Sequence, residues 1–533
     1  MYQISSFISF KVLNMVQFRQ LSQSRAVYKK LPLKIKKSQL SPTLFQIDKA
    51  SDKTIILKQN RQIGNKAFTS TVENNHFHSV LKSKTIYHKY LAFDPPCNDV
   101  DMKCLREIIR SVSPGHSTLK EKIELLRLIG TLTSEDKEIL FCDKTLSNVI
   151  EDFLNILPGL SHDQFTSVMK SFGTLGLRDV VDDSHKQRQL ICKRIYLDIG
   201  RECVKRADLW NIETLLVAAD LFFTLHSKYI FNLPYAEIFW KRMEDLCTKN
   251  KISPQDAVAI LFHVNLKRQL SRNMRDNLIN PFLDGIPNDF SLDECALVCA
   301  GFHKSKHPVN SKAFNRDTIF KITNDIHTAD EISICAIFKS FSKTFDKGAA
   351  RYHPEAYLAM IDLTHHIAEQ FDTLSLMSVV RIVKFYHDIL LASEKMQQAF
   401  IIKIKNTDFS TIRSKELSKI SFLLGSLMLK FDGYQEILNA ITLELMAPHQ
   451  RFHDEETHLH NIVRSLNGMS MLNYYPESMV DSCFSSTILN SKGKHVNYHP
   501  NCIWSIVVLI HLYWILYSLK SMLTIAPSYE SKV

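Results

Sequence analysis

Glycine is scarce in this sequence, with 14 among 533 residues, and proline is modest at 16. Tight turns at positive φ draw on glycine, so a β-rich fold with many hairpins is disfavoured and helices are favoured. Nucleotide-binding loops are missing as well: neither G-x-x-x-x-G-K-[ST] nor G-x-G-x-x-G occurs. An H-R-D and a D-F-G, which a protein kinase needs, are absent, as are H-E-x-x-H and G-x-S-x-G. No residue set therefore points to an enzyme, and no cofactor is expected. The eleven cysteines form no C-x-x-C pair, and their odd, scattered distribution argues for a reducing compartment over a disulfide scaffold.

Acidic residues are missing from one stretch. None precedes Asp48, while Lys11, Arg19, Arg25, Lys29, Lys30, Lys34, Lys36 and Lys37 do. Basic, acid-free and studded with Phe, Leu, Ile and Val, residues 1–47 have the composition of a mitochondrial transit peptide. Met15 opens a better presequence than Met1 and is an alternative start. With those eight cations set aside, 58 of the 66 basic side chains face 55 acidic ones. The net charge of +11 is thus mostly N-terminal, and bulk charge is weak evidence for nucleic-acid binding. Residues 48–104 are polar and aperiodic, with NNHFHS and DPPCND as breakers, and are expected to be a disordered linker.

From residue 105 the apolar spacing becomes helical. Residues 105–160 read as N-terminal capping helices, with Ile123 and Leu126 on the stripe of a repeat starting near Leu119. The stretch Phe371–Leu390 sets the frame: counted from Asp372 as N-cap, Leu376, Val379, Val380, Val383 and Tyr386 form one buried stripe. The same frame starts at 161, 211, 253, 291, 330, 372, 413 and 455, at intervals of 50, 42, 38, 39, 42, 41 and 42 residues. Such intervals belong to stacked helix pairs, because one helix of about 15 residues cannot bury its stripe alone. The fold expected is all-α: an α-solenoid of degenerate helical-pair repeats over 161–412, continued by leucine-rich repeats over 413–500. Second helices are expected at Tyr235–Thr248, His353–Gln370 and Tyr434–Met446. Cys295 and Cys299 fall on one stripe and read as small apolar residues.

Residues 501–533 are expected to form an apolar C-terminal helix and tail. Cys502–Leu519 lacks a formal charge over eighteen residues and is long enough to touch or just span a bilayer. Trp504 and Val508 also fit a ninth repeat helix counted from Asn497, and both readings stay open. The densest titratable cluster holds His449, His453, His458 and His460 around Asp454, Glu455 and Glu456. It lies at a connection and a helix start, where acids favour the dipole, so a solvated loop is expected and no metal site.

One polar pattern repeats. Position +9 of the first helices is basic in four repeats, at Lys170, Lys339, Arg381 and Arg464. Positions +12 and +13 share that face and carry Asn265, His303, Lys304, Lys343, Lys384 and Asn467. Stacking would align them as a ridge of cations and amides, able to track phosphates and read unpaired bases. The alternative is the ordinary solvated face of each helix.

The leucine-rich pair LSKISFLLGSLMLKFDGYQEILNAITLELM (417–446) and HNIVRSLNGMSMLNYYPESMVDSCF (460–484), the Leu-Asn-Tyr-Tyr-Pro run at 472–476 and the later Trp504-Ser505 resemble the modules of the FAST kinase domain-containing family. The likeness spans about residues 160 to 510. It implies a mitochondrial matrix protein that binds single-stranded mitochondrial RNA and acts in its processing, stability or expression. RNA-granule or mitoribosome-assembly proteins are the further partners it implies. Members of the family usually end in a RAP domain, and the chain is expected to lack one, ending at Val533. The competing expectation is a protein-interaction scaffold of armadillo or HEAT type, with a membrane tether through Cys502–Leu519 as a third.

Overall fold

A computed structural model describes residues 70–93, 105, 107–109, 117–132, 136–137, 140, 144–175, 186–225, 236–345, 354–447 and 455–482. The expected transit peptide, the Cys502–Leu519 segment, Trp504-Ser505 and most of the His449–Glu456 cluster lie outside these residues. Among the described residues there is no strand. The chain is an all-α solenoid.

The first described element is α1 (Ser70–Ser83), followed by a 3-10 turn over Thr85–Tyr90. Helices α2 (Leu119–Gly130) and α3 (Lys144–Ile156) form the first pair. Next come α4 (His162–Thr174) with α5 (Lys186–Arg206), α6 (Ile212–Leu225) with α7 (Ala236–Lys249), and α8 (Pro254–Lys267) with α9 (Arg272–Ile279). Then α10 (Leu292–Lys304) precedes α11 (Lys312–Asp325), and α12 (Glu331–Thr344) precedes α13 (Pro354–Glu369). The last are α14 (Leu376–Asp388), α15 (Glu394–Lys405), α16 (Ser414–Ser426), α17 (Tyr434–Met446) and α18 (Glu455–Met471). Each first helix of a pair packs on the first helix of the next, from α2 through α18, and α11, α13 and α15 stack likewise in a second layer. Sequential stacking of this kind is what lets short amphipathic helices cover one another.

Capping chemistry sets the register. Thr118, Ser161, Ser253 and Ser291 each form a reciprocal capping box with the third residue of the helix. Asn211 accepts from the Thr214 amide at 2.9 Å and Asp330 from that of Ile332 at 2.7 Å. One expected cap is corrected: α14 is capped by Ser375, and Asp372 lies in the turn that closes α13. Ser375 wins because its hydroxyl and amide are also held by Glu331 of the preceding first helix. The stripe itself stands, with Leu376, Val379, Val380, Val383 and Tyr386 all buried. Cys295 and Cys299 are buried among apolar neighbours, and burial pushes the Cys299 thiol up to about 12.

The scarcity of glycine shows at the helix ends. Arg268, Lys306, Leu390, Met428 and Asn473 follow first helices in the left-handed region at φ between 54° and 67°, where glycine is the usual residue. Glycine is instead kept where backbones touch. A Cβ added to Gly425 on α16 would land on the carbonyl oxygen of Gly468 on α18, and one added to Gly468 would strike the Ser421 carbonyl and the Phe422 Cα. Two helices crossing backbone to backbone tolerate nothing larger.

The linker expectation fails for residues 70–93. Phe77, Leu81, Tyr87, Tyr90, Leu91 and Ala92 are all buried, against α6, α8 and α10 in part. These aromatic and aliphatic side chains, spaced too irregularly to announce a repeat, give the segment an apolar face to bury. It forms a strap across the first-helix layer.

Gly425→Ala and Gly468→Ala should each lower stability by about 2 kcal/mol or more, since one helix must move off the other. Gly159→Ala, with nothing within 4 Å of the added carbon, should leave the denaturation midpoint unchanged. Equal midpoints for all three variants would refute the backbone crossing.

Candidate nucleic-acid interface

The ridge residues sit where the helical frame places them, on one first helix after another, but they do not form one open surface. Lys170 stands apart on α4, half-buried. In the middle repeats the ridge is covered by the strap. Glu73, in the first turn of α1, accepts from Lys304 at 2.8 Å through one carboxylate oxygen and from Lys339 through the other. Asn74 accepts from the amide of Asn265 at 3.0 Å. Lys343 is exposed and donates to the His303 carbonyl at 2.9 Å, tying α12 to α10.

Burial, followed by the Arg268 and Arg381 charges, lowers the Lys304 ammonium to about 8. Burial and then Arg381 bring Lys339 to about 7. The Glu73 carboxylate between the two opposes that loss of charge. Burial and the Lys343 and Lys304 cations hold His303 neutral, with its pKa down at about 4.

Farther along, beyond the strap, further cations gather on neighbouring first helices. Arg464 lies over the face of Phe422, its guanidinium carbon 5.3 Å from the ring centroid, and His387 meets the same ring edge-on at 6.2 Å. Lys384 pairs with Asp388 one turn along α14. Glu416 accepts from Lys419 at 2.6 Å and Arg413 at 3.1 Å. Burial alone would raise the Glu416 carboxyl, yet Lys419, with Arg381 and Arg413 beyond, holds it below the usual carboxylate range. Arg381, Lys384, Arg413, Lys419 and Arg464 thus face two acids, Asp388 and Glu416, on α14, α16 and α18. Asn467 is half-buried one turn beyond Arg464. The arrangement can bind anionic groups at the cations and stack a flat one beside Phe422.

Sequence reasoning missed Arg413 and Lys419 because they fall outside positions +9, +12 and +13, and Phe422, which does stand at +9 of its repeat, because it is neither a cation nor an amide. It missed Glu73 and the strap for a different reason. The first helices LLVAADLFFTL (215–225) and AVAILFHVNL (257–266) are apolar nearly all round, a pattern for helices covered on every side. That pattern was the signal for the strap. The strap's other half engages first-turn acids: Tyr87 and Lys84 both donate to Glu294, Tyr90 to Asp256 at 2.6 Å, and Lys89 to Glu213 at 2.8 Å. His78 and the Ala92 amide hold the fully buried Asp220 at 2.8 and 2.9 Å. Among the described residues, no group of three His, Cys, Asp or Glu side chains is placed to hold a metal ion, and no helix is long and apolar enough to cross a membrane.

No protein-family model matches the chain, and no curated protein matches it.

His263 on α8 is fully buried, and that burial lowers its pKa to about 4 despite the nearby Asp220. An unfolded histidine titrates near 6.5, so between those values the unfolded chain binds more protons. Stability from His263 and His303 is therefore complete above pH 6.5 and is lost as pH falls toward 4. His263 should account for about 1.5 kcal/mol of loss between pH 6.5 and 5. Urea midpoints across that range should fall for the native chain and flatten for His263→Gln. A native chain as stable at pH 5 as at pH 6.5 would contradict the neutral assignment.

Proposed function

We propose that the chain is a helical-repeat protein that binds single-stranded RNA in the mitochondrial matrix, acting in the processing, stability or expression of mitochondrial transcripts. The observation that carries this reading is the cluster on α14, α16 and α18, where the Arg464 guanidinium lies over the Phe422 ring, Lys384 pairs with Asp388, and Arg381, Arg413 and Lys419 act on Glu416. Single-stranded nucleic acid is bound by cations along the phosphates and by stacking of bases on guanidinium and aromatic planes. The likeness of residues 417–484 to the FAST kinase domain-containing modules supports the same reading, and the acid-free basic N-terminus supports import.

The test is salt-dependent binding of a labelled single-stranded RNA to the full chain. Exchanging Lys384 and Arg464 for Gln together should weaken binding about tenfold or more at low salt. It should also flatten the plot of log affinity against log salt by about 1.4, at ~0.7 for each phosphate no longer neutralised. Undiminished affinity and slope would remove the cluster from the interface. For the compartment, residues 1–47 fused to a fluorescent protein should carry it into mitochondria, and a cytosolic fusion would count against import.

A second reading, a scaffold for helical peptides, is favoured by the strap, which is such a segment seated on the first-helix layer. Partners retained after nuclease treatment are its mark.

A further inference from the structure

One turn of the strap fills three ridge positions on consecutive first helices. Asn265 of α8 donates to Asn74, Lys304 of α10 to one Glu73 oxygen and Lys339 of α12 to the other. Glu73 therefore presents two equivalent anionic oxygens from one centre, each to an ammonium group on a different repeat. The two unesterified oxygens of a phosphodiester offer the same pair of acceptors. Arg381 on the next first helix adds its field to both lysines, so the two ammonium groups that meet the strap carboxylate have a third cation beside them. On the far side the array continues to Lys419, Arg413 and Arg464. A ligand following the first helices from the Phe422 cluster toward α10 would meet this position next.

The strap is anchored unevenly. Beyond its first turn it is held by His76 on Ser333 at 2.9 Å, by His78 and the Ala92 amide on Asp220, by buried rings and by the Glu294 and Asp256 carboxylates, and Ala92 lies so close to Gly173 that a Cβ on that glycine would collide with it. Glu73 belongs to the first turn of α1, where a helix opens at least cost while the remainder stays docked. The first turn can thus lift without releasing Phe77, Tyr87 or Tyr90.

We propose that Lys304 and Lys339, with Arg381 beside them, form a phosphodiester-binding position on the RNA track, held by Glu73 in the free protein, so that RNA and the first turn of the strap compete for it. This inference rests on the RNA-binding reading above. It gives the strap a role beyond packing: it sets how many repeats are open to RNA.

The experiment uses the full chain, its Glu73→Gln variant, and a labelled single-stranded RNA. Glu73→Gln should bind about tenfold more tightly at pH 7, because the closed first turn no longer withholds the position. The salt slope should steepen by about 1.4, as two more cations meet phosphate at ~0.7 each. In the unmodified chain, backbone amides of residues 73–76 should exchange hydrogen faster when RNA is saturating, while those of 80–83 keep their rate. That measurement does not depend on the variant folding well. Unchanged exchange at 73–76 overturns the competition whatever the variant does. Equal affinity and slope for Glu73→Gln also overturn it, and if the Lys384 and Arg464 exchange still weakens binding, the RNA reading itself survives. Absence of RNA binding by both proteins overturns the reading and the competition together.

Discussion

A helix that is apolar on every side has to be covered on every side. Helices α6, α8 and α10 are of this kind, with runs such as Ala257–Leu266 buried without interruption. Their flanks are covered by neighbouring first helices and by second helices, and the strap closes part of what remains. The three-way covering follows from burial at about 25 cal/mol per Å² of apolar surface, which a dozen exposed side chains would forfeit. Everything else about the middle of the molecule follows from that covering, including which cations are open to solvent.

Carboxylates follow the apolar side chains into this layer and find donors there. The capping-box acids Asp256 and Glu294 serve twice: they close the first turns of α8 and α10 and accept from Tyr90, Tyr87 and Lys84 of the strap. Asp220, which neither caps nor faces water, is held below the ordinary carboxylate range by His78 although burial acts the other way. Unmatched, such carboxylates would cost several kcal/mol each. The strap is therefore selective about where it docks, because a shift of one turn would strand them.

Periodicity made the solenoid legible, and the start points at 161, 211, 253, 291 and 330 coincide with observed caps. Asp372 misled because an aspartate before an apolar stripe is a good cap in isolation. The choice of Ser375 depends on Glu331, which lies 44 residues away. Long-range pairing of this kind also hid the strap. Nothing local to STVENNHFHSVLKS says that Glu73 will meet Lys304 and Lys339, 231 and 266 residues farther on. The ridge was legible as positions on helices, not as a surface. Spacing fixes which side a residue faces but not what lies over it.

The glycine pair at the crossing of α16 and α18 has a consequence for recognition. Gly468 rests on the backbone at Ser421 and Phe422, and Arg464 stands about one turn before it on the same helix. The separation of the two backbones that carry ring and guanidinium is therefore set by main chain against main chain. A flat group arriving at the edge of this pair meets a platform already formed when the protein folds. Ordering costs that a looser site would incur on binding are smaller here, so more of the stacking energy is left to hold the ligand. For the RNA strand proposed above, geometry at this end of the solenoid would act as a fixed anvil.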